Sequence, residues 1–211
     1  MQETAESLQQ PSFPKLLQKF LYKQLRQNNT EFPTWGAHLR IDGKIHAFFS
    51  AMVTFHAPSD ISGISSMWRE HIRAMSSWRR GQARYDTVLV NTNPEDGGVR
   101  RFEVAHVFFP FSFWYDNKEY PCALTKWNSH VGFKPDADTG LWMVEPDTND
   151  SGDPCLAIIH LDSIYRAVHL LLAHRNSTFV DHSITMHSLL DMFQLFYNNK
   201  FSDHQSFEVL W

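Results

Sequence analysis

The spacing of apolar residues changes from a helical period near the start of the chain to short, strand-like runs over most of the rest. Ser12 and Pro14 are helix-start signals. The apolar residues that follow fall on one face of a helix: Phe13, Leu16, Leu17, Phe20, Leu21 and Leu25. The pattern fades in the polar run at residues 27–30. It predicts a polar tail and an N-terminal amphipathic helix within residues 1–35.

Short apolar runs bounded by turn formers predict six or seven strands within residues 36–211. A hairpin is expected around Asp42-Gly43, because Asp-Gly is a preferred two-residue turn. The later strands are Phe48–Phe55, Tyr85–Val90, Arg101–Phe113, Tyr120–Trp127, Leu141–Val144 and Cys155–Leu161. Pro110 predicts a bend or an edge position in the longest run, because proline cannot donate a hydrogen bond to a strand ladder.

Three other segments have a helical pattern. Residues 65–78 place Met67, Ile72 and Met75 among charged neighbours, and Gly81 is a suitable terminator. Asp162 predicts the cap of a helical turn that leads into residues 168–172. Residues 188–197 are apolar nearly all round, which predicts a final helix that is either deeply buried or seated against another domain.

The order of these elements bounds the fold class. No alternation of strand, helix and strand is visible, which argues against a doubly wound parallel sheet. Seventeen Phe and seven Trp favour a sheet core filled by rings. The prediction is an α+β fold in which a small, strongly curved antiparallel sheet, or an SH3-like or BAH-like barrel, is flanked by helices. Residues 36–211 are predicted to form a single domain.

Composition and charge exclude several classes. The net charge of −4 gives no global attraction to nucleic acid or acidic membranes, so any such contact needs a local patch. Cys122 and Cys155 are too few for a secreted disulfide framework and are expected to be buried free thiols. No stretch approaches the roughly 20 apolar residues that cross a bilayer. The acidic, polar N-terminus is no signal peptide, so an intracellular protein without a membrane partner is expected.

Candidate carboxylates and histidines do not form a recognisable active site. A metal-dependent nuclease needs carboxylates that converge on divalent cations. The candidates are Asp136, Asp138, Glu145, Asp147, Asp150 and Asp153. They crowd into loops rich in proline and glycine, where carboxylates are usually solvated turn formers. Among the histidines, His182 and His187 come closest to a zinc pair, at the wrong spacing for one helical face. We therefore predict no catalytic residue, no metal site and no cofactor.

A cluster of arginine and tryptophan is the one group of residues whose chemistry suggests a binding function. It consists of Trp68, Arg69, Arg73, Trp78, Arg79, Arg80 and Arg84. Arginine makes bidentate contacts to phosphate oxygens, and tryptophan stacks on unpaired bases. These residues are candidates for nucleic-acid binding through the DNA backbone. The competing interpretation is a solvated basic helix whose tryptophans point into the core.

The chain also resembles a known family. The residues that carry the resemblance are Lys44-Ile45, Ala57-Pro58-Ser59-Asp60, Met67-Trp68-Arg69-Glu70-His71-Ile72-Arg73-Ala74, Ser77-Trp78-Arg79-Arg80-Gly81, Arg84-Tyr85-Asp86, Val90-Asn91-Thr92, Tyr120-Pro121-Cys122-Ala123-Leu124, Asp138-Thr139-Gly140, Val144-Glu145-Pro146, Ile159-His160-Leu161-Asp162-Ser163-Ile164 with Arg166-Ala167, Phe196-Tyr197 with Asn199-Lys200, and Asp203-His204. In order and spacing they resemble the last part of the transposase-like proteins of fungal Plavaka elements, in the Kyakuja–Dileera–Zisupton group. The chain departs from that pattern at Asn128 and Ser129 and in the unusually apolar segment 169–174.

The resemblance implies a function without catalysis. In such elements the catalytic DDE core lies upstream, so this chain corresponds to a downstream, accessory part. It would dock DNA, or the remainder of a transposase or another protein, within a transposition complex in the nucleus. Two alternatives stay open. One is a metal-dependent phosphodiesterase that uses the 136–153 carboxylates with His130 or His160, and the other is a relic reading frame with no selected function. Oligomeric state is left open.

Overall fold

The computed structural model describes residues 8–27, 44–57, 65–173 and 189–211, together with Thr4, Glu6 and Ser59. Its elements are α1 (Phe13–Gln27), β1 (His46–Ala47), β2 (Ser50–His56), β3 (Met67–Met75), β4 (Arg84–Tyr85), β5 (Thr87–Asn91), β6 (Phe102–Tyr115), β7 (Lys118–His130), β8 (Met143–Pro146), β9 (Leu156–His160), β10 (Ile164–Ala167), β11 (Leu170–Leu172), α2 (Leu189–Met192), β12 (Phe196–Asn198) and α3 (His204–Leu210). Short 3-10 turns cover Gly98–Arg101 and Leu161–Ser163. The Asp42-Gly43 hairpin and the His182–His187 pair lie outside the described residues.

An antiparallel sheet curled into a half-barrel dominates the described part of the chain. Its order is β10-β5-β6-β7-β8-β12-β11, with β1 added to β6 and β9 added to β7. Strands β2, β3 and β4 form a separate three-stranded sheet. The predicted α+β fold with a curved antiparallel sheet and flanking helices is therefore confirmed. None of the described helices is long and apolar enough to cross a bilayer.

The long β6–β7 hairpin forms the centre of this sheet. Asp116 and Asn117 connect the strands at φ 50° and 59°, the backbone that a two-residue hairpin turn with matching twist requires. The register shifts between Val107 and Phe109, which marks a bulge where β6 bends. Pro110 follows the bulge, and its carbonyl accepts the Phe48 N–H at 2.9 Å on the side away from β7. Pro110 therefore costs no ladder hydrogen bond to β7. The bend is confirmed, whereas the alternative of an edge position is wrong, because β6 pairs with β1 and β5 on one side and with β7 on the other.

Helix α1 packs on one face of the β6–β7 hairpin. Phe13, Leu17 and Leu21 are fully buried against Phe111 and its neighbours, which include Phe113, Tyr120, Cys122 and Leu124. The Phe13 and Phe111 rings meet edge to face with their centroids 5.3 Å apart. This geometry is a preferred one for aromatic pairs. The predicted amphipathic helix and its apolar face are confirmed.

The opposite face of the hairpin is covered by β2 and β3. Val53, Ile72 and Ala74 are buried against Val88 and Val107. A third cluster fills the other end of the curled sheet, where α3 and β12 contribute residues such as Leu210 and Phe196. Because β6 has packed neighbours on both faces, its sequence is nearly continuously apolar, whereas in β7 the apolar run is limited to Tyr120–Leu124.

The predicted helix over residues 65–78 is wrong. Residues Met67–Met75 form strand β3, which pairs with β2 in an unbroken antiparallel register from Ser50↔Arg73 to His56↔Met67. Alternate residues of β3 then face the core and the solvent, with Ile72 and Ala74 inward. A ladder with β2 and the burial of Ile72 and Ala74 outweigh the weak helical pattern, because intrinsic propensity yields to tertiary context.

The predictions for the C-terminal third need two further corrections. The helix predicted for 188–197 ends at Met192, because Phe196–Asn198 forms β12, which pairs with both β8 and β11. The helical turn near Asp162 is present as a 3-10 turn, but residues 170–172 form strand β11. Both apolar runs complete the sheet, where Phe196 is fully buried. Short apolar runs fit either element, and the neighbouring strands decide.

Candidate nucleic-acid interface

The predicted arginine cluster lies on the β3–β4 hairpin, which we call the arginine hairpin (residues 67–86). Arg69 and Arg73 are on the outward face of β3, opposite the buried Ile72 and Ala74. Arg84 lies on β4, where it pairs with Met75 of β3. Trp78, Arg79 and Arg80 lie in the connecting loop, where both arginines are exposed. Trp68 is on the other face of β3, opposite Phe55 in the register, with 40% of its surface exposed. The structure thus brings Arg73, Arg79 and Arg84 together around Trp78, with Arg69 on the same face of β3 as Arg73 and Arg80 next to Arg79 in the loop, and it places Trp68 apart from them.

Trp78 is the centre of this arrangement. The guanidinium carbons of Arg73, Arg79 and Arg84 lie 4.9, 5.2 and 5.5 Å from the centroid of its ring. Such contacts within about 6 Å are favourable, because the ring face carries negative charge. Trp78 is half-buried and belongs to none of the three described core clusters. Its ring is occupied by its own arginines, so it orients cations and does not offer an open surface for a base.

The loop backbone holds Arg79 and Arg80 at the tip. The Gly81 N–H donates to the Trp78 carbonyl at 2.8 Å, which closes a tight turn. Arg79 and Arg80 occupy the left-handed region at φ 50° and 62°. That backbone costs a residue with a Cβ about 1–2 kcal/mol, and Asn-Gly is the usual choice there. Two arginines at a strained tip are a feature that occurs at ligand-binding sites.

Hydrogen bonds from and to Asp86 stabilise the base of the arginine hairpin. Its carboxylate accepts the Arg84 Nε–H at 2.9 Å and the Arg73 backbone N–H at 2.8 Å. The Asp86 N–H in turn donates to the Arg73 carbonyl at 2.8 Å. These bonds fix Arg73 and Arg84 relative to each other and place both beside Trp78.

The electrostatic character of the hairpin is opposite to that of the chain. Its five arginines face only two carboxylates, Glu70 and Asp86, so its formal charge is +3 in a chain of −4. Within the described part of the chain, no carboxylate forms an ion pair with Arg69, Arg73, Arg79 or Arg80. An exposed cluster of this kind attracts anions by Coulomb forces and can donate paired hydrogen bonds to phosphate oxygens.

Among the candidate carboxylates, that of Asp136 stabilises the turn in which it lies. Asp136 accepts the Thr139 N–H and Oγ1–H, both at 2.9 Å. Asp153 donates its N–H to the Asn149 side chain at 2.9 Å, and Glu145 is exposed on β8. No three His, Cys, Asp or Glu side chains among the described residues are grouped so that they could hold a metal ion.

The two histidines of the nuclease alternative occupy different surroundings. His130 is the last residue of β7, and burial lowers its pKa. Its ring meets that of Trp142 edge to face, with the two ring centroids 5.5 Å apart. The Nδ1 atom of His160 lies 3.3 Å from both the backbone nitrogen and a carboxylate oxygen of Asp162. Cys122 is a free thiol that is fully buried, and burial raises its pKa, whereas the free thiol of Cys155 is half-buried.

An ion cluster around the buried Arg166 was not predicted from the sequence. Arg166, only 3% exposed, donates to both carboxylate oxygens of Asp203 at 2.7 and 3.0 Å. One guanidinium nitrogen of Arg166 lies 4.0 Å from Glu70, and its carbon lies 4.8 Å from the centroid of the Phe55 ring. The cluster ties β10, β3 and the start of α3 together. Only folding brings these distant residues together, although Arg166 and Asp203 both belong to the family resemblance.

Comparison of the chain with protein-family models, with curated proteins and with solved structures finds no match. The sequence resemblance described above and the geometry of the arginine hairpin are therefore the two supports for a function.

Proposed function

We propose that the chain is a non-catalytic, transposase-derived accessory domain that binds DNA through the arginine hairpin, within a transposition complex in the nucleus. The observation that carries the DNA contact is the gathering of Arg73, Arg79 and Arg84 around Trp78, with Arg69 and Arg80 beside them. The transposase context and the nuclear location rest on the sequence resemblance.

The spacing on β3 suits a phosphate backbone. Residues four apart on a strand lie on one face about 13 Å from each other. Each DNA strand carries one phosphate charge per roughly 3.4 Å of helix axis, so two arginines at that distance meet separate phosphates. Arg69 and Arg73 can make these contacts without entering a groove. Contacts of this kind position a protein on DNA and carry no sequence information.

Binding should be strongly salt-dependent. When Arg69, Arg73, Arg79 and Arg80 each neutralise one phosphate, the logarithm of the affinity falls with that of the salt concentration with a slope of about −3.6. A fourfold increase in salt then weakens binding roughly 150-fold. Sequence has little effect, because the contacts are to the backbone.

The test measures fluorescence anisotropy of a labelled duplex of arbitrary sequence. Arg73, Arg79 and Arg80 are replaced together by alanine. We expect weaker binding and a salt slope smaller by about one for each arginine removed. The matched control removes three exposed lysines, Lys44, Lys118 and Lys134, and so the same net charge. Equal binding by the arginine variant and the wild type would discard the interface, and equal losses in the two variants would show non-specific attraction.

The same protein separates the proposal from the nuclease alternative. Duplex and single-stranded DNA are incubated with Mg²⁺ or Mn²⁺, and products are resolved on a denaturing gel. An accessory domain leaves the DNA intact. Cleavage that co-purifies with the wild type and is lost in Asp136→Asn or Asp147→Asn would replace the accessory role with phosphodiester hydrolysis.

A further inference from the structure

A groove runs beside the open edge of β3. Strand β2 pairs with one edge of β3 from Met67 to Arg73, whereas β4 pairs with the other edge only at Ala74 and Met75. Among the described strands none pairs with that second edge from Met67 to Arg73. An edge of seven residues is about 23 Å long. Unpaired strand edges are templates for the addition of another strand.

The peptide groups of Arg69 and His71 point toward this open edge. The Ala74 N–H donates to the Phe49 carbonyl at 3.0 Å, so even-numbered residues of β3 point toward β2. The Arg73 carbonyl accepts the Asp86 N–H at 2.8 Å on the opposite side. Because peptide groups alternate along a strand, Arg69 and His71 present their N–H and C=O on the same side as Arg73. Asp86 therefore already occupies the place that the first residue of an added strand would take.

The walls of the groove differ in chemistry. It has a volume of about 780 Å³, and Arg69, His71 and Arg73 line its β3 side. The leucines of β11 and α2 line the other side: Leu170, Leu171, Leu172, Leu189 and Leu190. An occupant must therefore be polar and acidic toward β3 and apolar toward the leucines.

The carboxylates of the groove are already engaged. Glu70 accepts the Ala167 N–H at 2.9 Å, and Asp203 binds Arg166 at 2.7 Å. Asp86 binds Arg84 at 2.9 Å. The lining holds four arginines and three carboxylates, Glu70 of β3 among them, which leaves a formal charge of +1. The guanidinium groups of Arg69 and Arg73 have no carboxylate partner within the described residues.

We propose that this groove binds an extended acidic segment of a partner protein, which adds as a strand to the open edge of β3. The backbone of the segment pairs with Arg69 and His71. Acidic side chains at alternate positions meet Arg69 and Arg73, and the intervening apolar side chains face the leucines. Alternation is required because successive side chains of a strand point to opposite faces.

A nucleic acid fits this groove less well than a peptide. The open edge offers alternating donors and acceptors, and a phosphodiester backbone has no N–H to donate to the carbonyls of Arg69 and His71. The leucine wall also gives phosphates no partner. The peptide site shares Arg69 and Arg73 with the proposed DNA contact and differs from it at Arg79 and Arg80, which do not line the groove.

The first experiment uses a fluorescein-labelled octapeptide of alternating aspartate and valine, with a lysine–valine octapeptide as the charge control. We expect saturable binding of the acidic peptide to the full chain and none of the basic one. Equal binding of both peptides, or no saturable binding of the acidic peptide at millimolar concentration, overturns the proposal.

The second experiment removes one N–H from the open edge. His71→Pro deletes the donor that points into the groove but touches no hydrogen bond to β2, and proline is tolerated at such edge positions. His71→Ala is the matched control, because it loses the same side chain and keeps the N–H. We expect at least tenfold weaker binding of the acidic peptide by the proline variant than by the alanine variant. Equal affinities of the two variants exclude strand addition.

Two further measurements distinguish a loss of peptide binding from a loss of DNA binding. The Arg79→Ala, Arg80→Ala double variant should lose DNA affinity and keep the peptide, whereas His71→Pro should lose the peptide and keep DNA. Where the proline variant fails to fold, hydrogen exchange of wild-type Arg69 and His71 amides replaces it. Slower exchange of both amides on adding the peptide supports strand pairing, and unchanged exchange overturns it.

Discussion

The ion pair between Arg166 and Asp203 allows a sharp test of what holds the C-terminal part of the chain to the sheet. We consider replacing Asp203 by asparagine and by alanine. The carboxylate accepts two hydrogen bonds from Arg166, at 3.0 and 2.7 Å, and it caps helix α3 through the Ser206 N–H at 2.7 Å. The two substitutions separate these roles, because asparagine is a good helix cap and carries no charge.

The magnitude follows from what each substitution leaves behind. Removing one partner of a fully buried ion pair costs about 3–5 kcal/mol, because the other charge stays buried without compensation. The Arg166 side chain is 4% exposed and that of Asp203 is 39% exposed. Solvent at Asp203 reduces the cost, so we expect about 2 kcal/mol for Asp203→Asn. Loss of the cap should bring Asp203→Ala to about 3 kcal/mol.

The pH dependence has a definite sign. Burial of Asp203 favours the protonated acid, but the hydrogen bonds from Arg166 and Ser206 outweigh it and hold the pKa of Asp203 below its ordinary value of 3.8. The stabilisation is therefore fully present above the unfolded-state pKa and is lost as the pH falls through the folded-state pKa. The difference in stability between wild type and Asp203→Asn should be constant at neutral pH and should shrink in acid below about pH 4.

The assay is urea unfolding followed by circular dichroism, with equal m-values as the condition for comparing free energies. A double-mutant cycle adds Arg166→Met, which keeps an apolar stem in contact with Phe55 and removes the charge. We expect Asp203→Asn to cost far less in the Arg166→Met background than in the wild type. Additive effects, or an Asp203→Asn variant within about 0.5 kcal/mol of wild type, would mean that the ion pair does not stabilise the fold.

Three further predictions follow from burial and backbone geometry. Phe111→Ala should cost about 3–5 kcal/mol in urea unfolding, because its fully buried ring packs between the sheet and α1; a smaller loss would mean that α1 collapses onto the gap. Only Cys155 should react with a disulfide reagent in the native protein at neutral pH, since the Cys122 thiol is buried and its pKa is raised; two fast-reacting thiols before denaturation would contradict this. Gly81→Ala should lower stability by about 1 kcal/mol, because its Cβ would lie 3.2 Å from the Trp78 carbonyl oxygen, while Gly97→Ala, whose Cβ meets nothing within 4 Å, serves as the neutral control in thermal melts.

The candidate interface shows how a set of residues can be assigned to the wrong element. Arg69 and Arg73 share a face in a helix, at four residues apart, and they also share a face in a strand, where every second residue does. Met67, Ile72 and Met75 suited a helix, while the alternation of Arg69, His71 and Arg73 suited a strand. The partner strand β2 decided between them by supplying hydrogen bonds.

From the sequence alone followed the amphipathic helix α1, the long β6 and β7 strands, the antiparallel α+β class and the concentration of positive charge between residues 69 and 84. These depend on local periodicity and on residue type, which short windows contain. Long-range contacts determine that residues 67–75 extend along β2, that Trp78 contacts three arginines, and that Arg166 binds Asp203. Those outcomes depend on pairs far apart in the chain, whose energies arise only when burial and hydrogen bonding bring them into contact.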